Sequence, residues 1–165
     1  TISNRWDASS SFLTFDPGVA INKGTAITLG PQPKPDDSSS VFWEIEWASR
    51  DFYRIKTRVD GDWYYLTRGA RLRDGLVVPT DTLYLDPFRK TWNRQQWAIL
   101  PTGQGAFTIQ SAWEPNTGFL TRESKLESQA VSGKPTSTQL IETPLDEVLL
   151  DTDQTSLPAR LWFLD

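Results

Sequence analysis

Hydrophobic and polar residues alternate along most of this chain in short stretches. Alternation places every second side chain on the same face of an extended strand, so these stretches predict strands with one buried face. Clusters of Gly, Pro, Asn and Asp separate the stretches, and these residues favour turns. No stretch has the periodicity of a capped helix, apart from one turn expected around residues 145–150. The pattern therefore predicts an all-β protein, with turns at residues 16–18, 60–62, 86–87, 115–118 and 132–135.

The strand pattern occurs three times along the chain. Residues 2–14, 55–67 and 109–121 align with one another without gaps, at spacings of 53 and 54 residues. Each segment begins with Ile and, ten residues later, contains an aromatic residue followed by Leu and Thr. Self-similarity at a fixed period is the sequence signature of a repeated structural unit. The opening residues are Ile2, Ile55 and Ile109, and the aromatic–Leu–Thr triplets begin at Phe12, Tyr65 and Phe119.

Each unit ends with a second signature, a Trp followed two residues later by an aliphatic residue. The third unit has about eleven more residues between its Ile and its Trp than the other two, and we expect them in a long acidic loop at residues 143–158. One unit cannot bury its apolar face alone, so the three must share a core. We therefore predict a single domain over residues 1–165, closed into a threefold barrel with repeats at residues 1–50, 51–104 and 105–165. The closing pairs are Trp43 with Ile45, Trp97 with Ile99, and Trp162 with Leu164.

The arrangement resembles the β-trefoil and, within that fold, the ricin-B-type lectin family. The resemblance rests on Ile109-Gln110-Ser111 followed by Gly118-Phe119-Leu120, and on Gln95-Gln96-Trp97, which matches the Gln-x-Trp signature of the family. Units one and three keep the Trp of this signature and lack the Gln. The resemblance implies three pseudo-symmetric repeats of about 54 residues, each able to carry a shallow sugar pocket.

In this family, such a pocket consists of an acidic residue after the aromatic–Leu strand, an aromatic platform, and an Asn near the Gln-x-Trp. A carboxylate accepts hydrogen bonds from two neighbouring hydroxyls, an amide donates and accepts, and an aromatic face covers the apolar C–H side of a sugar ring. The acidic position corresponds to Thr14, Thr67 and Thr121 in this chain. The usual galactose-type site is therefore not expected in its complete form.

The second unit contains the best candidate for a pocket. Tyr84 and Asp86 come just before a proline, and Trp92, Asn93 and Gln95 lead into the closing Trp of the unit. We predict that these five residues bind carbohydrate, in a pocket walled by Trp92 with Asn93 and Asp86 as polar contacts. The alternative is structural: Trp92 caps the barrel and Asn93 forms a turn.

Two further groups of residues are candidates for exposed recognition surfaces. Trp113 and Asn116 join an aromatic ring to a free amide in the third unit, although Trp113 also aligns with core positions and Asn116 can serve a turn. In the hairpin at residues 60–65, Tyr65 aligns with core positions and Trp63 shares its face by the period of two. Tyr64 points the other way, and we expect it to be the exposed ring.

The composition excludes several kinds of chemistry. The chain has no His and no Cys, which removes disulfides, thiolate catalysis and every Ser–His or Cys–His nucleophile pair, so we expect no enzyme. The net charge is -4 and Lys and Arg form no dense run, so nucleic acid and anionic membranes are not expected partners. No apolar stretch is long enough for membrane insertion. We expect a soluble protein without a signal peptide at Thr1, either cytoplasmic or secreted without disulfides.

No cofactor is predicted, and no metal site either. Asp151 and Asp153 offer hard oxygen ligands in alternation, with further acidic residues nearby, which leaves calcium binding open as an alternative. The segment lacks the Gly and the terminal Glu of a twelve-residue calcium loop. Solvated loop charge is the simpler interpretation.

Three functions are compatible with these features. The first is a non-catalytic lectin that binds glycans or glycoproteins, as the resemblance implies. The second is a β-trefoil protease inhibitor that acts on its protease through long loops, for which residues 30–40 and 143–158 are the candidates. The third is a protein-interaction trefoil without sugar binding, which the Thr replacements favour. The sequence leaves the oligomeric state open.

Overall fold

The computed structural model describes residues 2–4, 12–15, 27–30, 42–102, 105–113, 118–130, 138–151 and 161–164. These residues form twelve strands and one short 3-10 helix at Asn93–Gln95, and among them there is no α-helix. The predicted all-β class is confirmed. The strands are β1 (Ile2–Asn4), β2 (Phe12–Phe15), β3 (Ile27–Gly30), β4 (Glu44–Ser49), β5 (Phe52–Val59), β6 (Asp62–Arg73), β7 (Leu76–Pro87), β8 (Trp97–Pro101), β9 (Phe107–Ser111), β10 (Phe119–Ala130), β11 (Thr138–Asp151) and β12 (Trp162–Leu164).

The strands fall into three sets of four, which coincide with the three units of the sequence. In each set the second and third strands pair with each other: β2 with β3, β6 with β7, and β10 with β11. The first and fourth strands form one continuous series of neighbours, β1-β12-β9-β8-β5-β4. All of these pairs are antiparallel, as expected for strands joined by short turns. The chain therefore builds the same four-stranded motif three times around a shared centre.

The core consists of the residues that recur in the three units. The opening Ile and the Leu of each triplet are almost completely buried, and so are the closing Trp residues of units two and three. Trp43 of unit one is half-buried and packs against the same cluster. The recurring core residues are Ile2, Ile55, Ile109, Leu13, Leu66, Leu120, Trp43, Trp97 and Trp162.

One hydrogen bond also recurs in each unit. The indole N–H of each closing Trp donates to the carbonyl oxygen of the Leu in its own triplet. The bond measures 2.8 Å from Trp43 to Leu13, 3.0 Å from Trp97 to Leu66, and 2.9 Å from Trp162 to Leu120. A buried indole N–H requires such a partner, because leaving it unpaired costs about 1–3 kcal/mol. Each unit is thus closed internally by its own Trp.

The loop predicted at residues 143–158 is wrong over its described part. Residues up to Asp151 belong to β11, which pairs with β10 from Ala130 opposite Thr138 to Phe119 opposite Asp151. The helical turn expected around residues 145–150 is wrong for the same reason. Pro144 lies next to a bulge, where the pairing shifts and strands tolerate proline. Residues 152–158 lie outside the described part of the chain.

The hairpin turn at residues 60–62 is confirmed, but the predicted facing of the next residues is wrong. Asp60 and Gly61 both have positive φ, at 51° and 91°, which is typical of the two-residue turns between paired strands. On β6, Tyr64 packs against the core cluster. Trp63 lies on the opposite face, opposite Arg58 of β5. Tyr65 is buried, but against Phe88 at 5.4 Å between ring centroids rather than in the core cluster.

Candidate functional site

The candidate site forms where the loop after β7 meets the end of β9. Three hydrogen bonds between backbone groups hold the loop in a compact form: Trp92 to Arg89 at 3.1 Å, Gln95 to Trp92 at 3.3 Å, and Gln96 to Asn93 at 3.0 Å. The backbone N–H of the residue before Trp113 then donates to the carbonyl of Gln96 at 2.9 Å. This last bond brings the third unit against the loop of the second. Trp92 and Trp113 therefore approach each other from different units.

Gln95 holds this loop from inside the protein. Its side chain is fully buried, and its amide Nε2 donates to the carbonyl of Pro87 at 2.9 Å and to the hydroxyl of Thr67 at 3.2 Å. Its Oε1 accepts from the backbone N–H of Arg89 at 2.9 Å. The amide is thus satisfied by the protein and is inaccessible to a ligand. Our prediction of Gln95 as a direct sugar contact is wrong, and its role is to position the loop.

The residues at the positions of the acidic residue of ricin-B-type lectins have structural roles in this chain. Thr67 is fully buried, and its hydroxyl donates to the carbonyl of Tyr65 at 2.8 Å. Thr121, its equivalent in the third unit, donates to the carbonyl of Phe119 at 2.9 Å. Both hydroxyls support their own strands. A galactose-type carboxylate contact is therefore absent at these two described positions.

Arg68 links the backbone of Trp113 to the second unit by a hydrogen bond. Its guanidinium is 2% exposed and donates from Nε to the carbonyl of Thr80 at 3.0 Å, and from Nη1 to the carbonyl of Trp113 at 2.8 Å. Asp81 lies 4.0 Å from Nη2 and supplies the opposite charge. A buried guanidinium needs such partners, because an unpaired buried charge is costly. Gly118 leaves room for this side chain, since a Cβ atom there would lie 2.6 Å from Nη1.

A surface cavity of about 390 Å³ lies between the two Trp residues. This volume is within the usual range of pockets that bind small molecules. Three of the predicted site residues, Trp92, Asn93 and Trp113, line the same cavity. The described residues that line it are Val77, Thr91, Trp92, Asn93, Arg94 and Trp113.

Arg94 stands between the two aromatic walls. Its guanidinium carbon is 3.8 Å from the ring centroid of Trp92 and 5.8 Å from that of Trp113. Arg89 approaches the Trp92 ring as well, at 5.5 Å. Cations over an indole face are attracted by the negative charge of the π system. The sequence-based prediction missed Arg94, although Arg89, Lys90 and Arg94 are three cations in residues 87–113, which contain no Asp or Glu.

Tyr84 and Asp86 lie on one face of β7, beside the two arginines. Burial raises the pKa of the Tyr84 hydroxyl, while the charge of Arg94 and its hydrogen bond to Tyr84 act in the opposite direction. Burial also raises the pKa of the Asp86 carboxyl, and the charges of Arg89 and Arg94 oppose this increase. Both side chains are half-buried and neither lines the cavity. Both groups interact electrostatically with Arg94, and their predicted contacts with a sugar remain predictions.

Asn116 lies outside the described residues, so its predicted role remains a prediction. The same holds for the calcium alternative, because Asp153 lies outside them and the side chain of Asp151 is not described. Within the described ranges, no group of three or more carboxylates is arranged to hold a metal ion. No helix among the described residues has the length and apolarity needed to cross a membrane.

A second surface cavity, of about 470 Å³, lies between units one and two. One wall is Trp63, whose ring centroid lies 4.4 Å from Lys56 Nζ and 4.7 Å from Arg58 Cζ. Lys56 is also bound by two carboxylates, Glu46 at 2.6 Å and Glu44 at 3.1 Å. Its charge is therefore compensated within the protein. The described residues that line it are Phe42, Trp43, Glu44, Arg58 and Trp63.

Comparison with known proteins identifies the fold. The sequence matches no protein-family model, and no curated protein is similar to it in sequence. Several solved structures are similar over nearly the whole chain, and three of them show the range of chain lengths. ThreeFoil, a designed 3-fold symmetric protein, has a TM-score of 0.62 at 13% identity. The match covers 98% of this chain and 94% of ThreeFoil. The fold is a β-trefoil.

The two other structures are longer proteins. Cry35Ab1 has a TM-score of 0.64 at 18% identity, with 99% of this chain and 34% of that one covered. A GlcNAcα1-4Gal-releasing endo-β-galactosidase from Clostridium perfringens has a TM-score of 0.60 at 16% identity, with 98% and 31% covered. The chain thus spans about a third of the length of these two proteins. At such identities the likeness establishes the fold, and the ricin-B-type family within it is a finer assignment.

Proposed function

We propose that this β-trefoil is a non-catalytic carbohydrate-binding domain of the ricin-B-like lectin type, and that its ligand site is the cavity between Trp92 and Trp113. The observation that carries the proposal is the pairing of two Trp walls with an exposed amide, Asn93, in one cavity. Sugar rings have an apolar C–H face and a polar hydroxyl edge, which match aromatic walls and amide or hydroxyl groups. Thr91 provides a further hydroxyl.

The chemistry of the described residues supports binding without catalysis. The chain has no His, and no carboxylate is among the described residues that line the cavity. Hydrolysis of a glycosidic bond normally requires two carboxyl groups flanking the bond. The similar endo-β-galactosidase is about three times as long as this chain, so the fold is compatible with a module attached to a glycan-active enzyme. The domain then supplies binding, and any catalysis belongs to a different domain.

Glycan-array screening followed by calorimetry tests the proposal. Trp113→Ala removes a ring on which a sugar can stack, and Trp92→Ala removes the ring on which Arg94 lies. We expect each change to weaken binding by about 5- to 150-fold, since stacking on an aromatic ring contributes about 1–3 kcal/mol. Trp47→Ala is the matched control, because Trp47 is 67% exposed and lines neither cavity. The absence of any glycan ligand, or equal binding by all four proteins, would refute the proposal.

A protein-interaction function is favoured by one separate observation. The tip of the β6–β7 hairpin exposes three apolar side chains: Leu72 at 73%, Leu76 at 69% and Val77 at 63%. Exposed apolar clusters of this kind often mark interaction sites. Replacing Leu72 and Leu76 by Ser would then abolish partner binding without affecting glycan binding. The protease-inhibitor alternative has no such support, because its candidate residues up to 151 form strand β11 and residues 31–40 lie outside the described part.

A further inference from the structure

We infer that the cavity between Trp92 and Trp113 takes an acidic sugar, one that carries a carboxylate or sulfate group, and that Arg94 is the residue that recognises this group. The inference rests on the proposed carbohydrate-binding function and adds the ligand class. A plain aromatic pocket would favour a neutral sugar stacked on a bare ring. Three features of this cavity point to an anion instead.

The first feature is the position of the guanidinium. At 3.8 Å, Arg94 covers the ring of Trp92, so this ring is not a bare platform for a sugar. Stacking uses the face of a guanidinium and leaves its N–H groups in the plane, where they match the two oxygens of a carboxylate or sulfate. A guanidinium has five N–H donors, and Tyr84 accepts one hydrogen bond from Arg94. Donors therefore remain for a bidentate contact.

The second feature is the local charge. The protein as a whole has a net charge of -4, yet residues 87–113 contain three cations and no Asp or Glu. Asp86 is the carboxylate that interacts with Arg89 and Arg94. Among the described residues, two guanidinium groups face one carboxylate, and residues 86–114 as a whole contain three cations and two acidic residues, Asp86 and Glu114, which leaves an excess of positive charge. Such a local reversal of sign attracts anions and repels cations.

The third feature is the wall that stays available. Arg94 is 5.8 Å from the Trp113 ring, 2.0 Å further away than from the Trp92 ring. Trp113 can therefore still receive the C–H face of a sugar ring. The hydroxyl of Thr91 and the amide of Asn93 line the same space and can bind sugar hydroxyls. Arg68 holds the backbone of Trp113, so this wall is fixed before a ligand arrives.

The second cavity provides an internal comparison. It also has an aromatic ring with cations above it, but its Lys56 lies within 3.1 Å of two carboxylates, Glu44 and Glu46. Glu44 itself lines that cavity. An anionic ligand would meet a carboxylate there, whereas the described residues that line the Trp92–Trp113 cavity include no acidic one. The inference therefore applies to one cavity only.

Calorimetry with matched pairs of sugars tests the inference. Sialyllactose is compared with its carboxyl-reduced form, and galactose 6-sulfate with galactose, so the two arms separate a carboxylate from a sulfate. A hydrogen bond to a charged group contributes about 1.5–3 kcal/mol, so we expect the acidic member of at least one pair to bind roughly 10- to 100-fold more tightly. Arg94→Met should abolish this preference. Arg94→Lys keeps the positive charge but not the planar group with paired donors, and it should keep only part of the preference for acidic sugars. Lys90→Ala is the control for general surface charge.

The outcomes separate the inference from the proposed function. Equal affinity for acidic and neutral sugars, with both lost in Trp113→Ala, would overturn the inference and leave the carbohydrate-binding proposal intact. An acidic preference that survives in Arg94→Met would also overturn it, since another residue would then be responsible. Competition by inorganic sulfate as strong as that by galactose 6-sulfate would show binding of an anion only. No binding of any sugar would overturn both proposals.

Discussion

The three hydrogen bonds from Trp to Leu provide a direct measure of how the repeated core is stabilised. Replacing a closing Trp by Phe keeps an aromatic ring but removes the indole N–H. In Trp97→Phe and Trp162→Phe, the buried carbonyl of Leu66 or Leu120 then loses its hydrogen bond from the indole, which costs about 1–3 kcal/mol. The lost ring atoms cost about 1–2 kcal/mol more. We therefore expect each variant to lose about 2–5 kcal/mol, a large share of the roughly 5–15 kcal/mol typical of a folded domain.

Trp43→Phe is the internal control for this reasoning. Trp43 makes the same bond, but its side chain is half-buried, so water can reach the carbonyl of Leu13 after the change. We expect a loss of about 0.5–1.5 kcal/mol. Urea denaturation followed by circular dichroism gives the three values, provided that the slope with urea stays unchanged. If Trp43→Phe costs as much as the other two, burial does not decide the energy of this bond and the reasoning is refuted.

Three further predictions concern the site and its supports. Asp86→Asn should raise the melting temperature at neutral pH, because burial raises the pKa of Asp86 and its charged form therefore destabilises the fold. The gain should vanish as the pH falls below the unfolded pKa of about 3.9. A lower melting temperature at neutral pH would contradict this reasoning. Gly118→Ala should lower the free energy of unfolding, measured by urea denaturation, by about 1–3 kcal/mol more than Gly75→Ala does. Both glycines have positive φ, but only at Gly118 would the new Cβ meet the Arg68 side chain. Equal losses in the two variants would speak against that contact. Gln95→Leu should cost about 2–4 kcal/mol and weaken glycan binding in calorimetry without contacting the ligand; unchanged binding would show that the loop does not need this amide.

The core could be predicted from the sequence because each of its positions occurs three times. Ile55, Leu66 and Trp97 have equivalents at the same spacing in the other units, and all three are fully buried. The facing of Trp63 and Tyr64 was predicted wrongly, because we took the aromatic residue of the triplet as the core position. In each described triplet the Leu is the core residue, and the strand period places the aromatic on the opposite face.

The site could be predicted only in part, for reasons of tertiary structure. Trp92 and Asn93 lie close together in the sequence, so their proximity was visible. The role of Arg94 was not predicted, since an arginine in a loop looks like a solvated charge until the fold brings Trp113 of another unit beside it. Gln95 looked like a ligand contact because amides bind sugars, whereas its burial depends on how the loop folds over Pro87. Repetition thus reveals a shared core, but it gives no information about contacts that occur at one junction alone.

The link from Arg68 to Trp113 joins one wall of the cavity to the preceding unit, and this has a consequence for how the protein is made. Trp92 is synthesised with the second unit, but its opposite wall comes from the third. A ribosome must therefore extend the chain well past residue 113 and through the strands that hold it before the cavity exists. Nascent chains arrested after the second unit should have no binding activity. Binding activity would then serve as a signal that the last unit has been added.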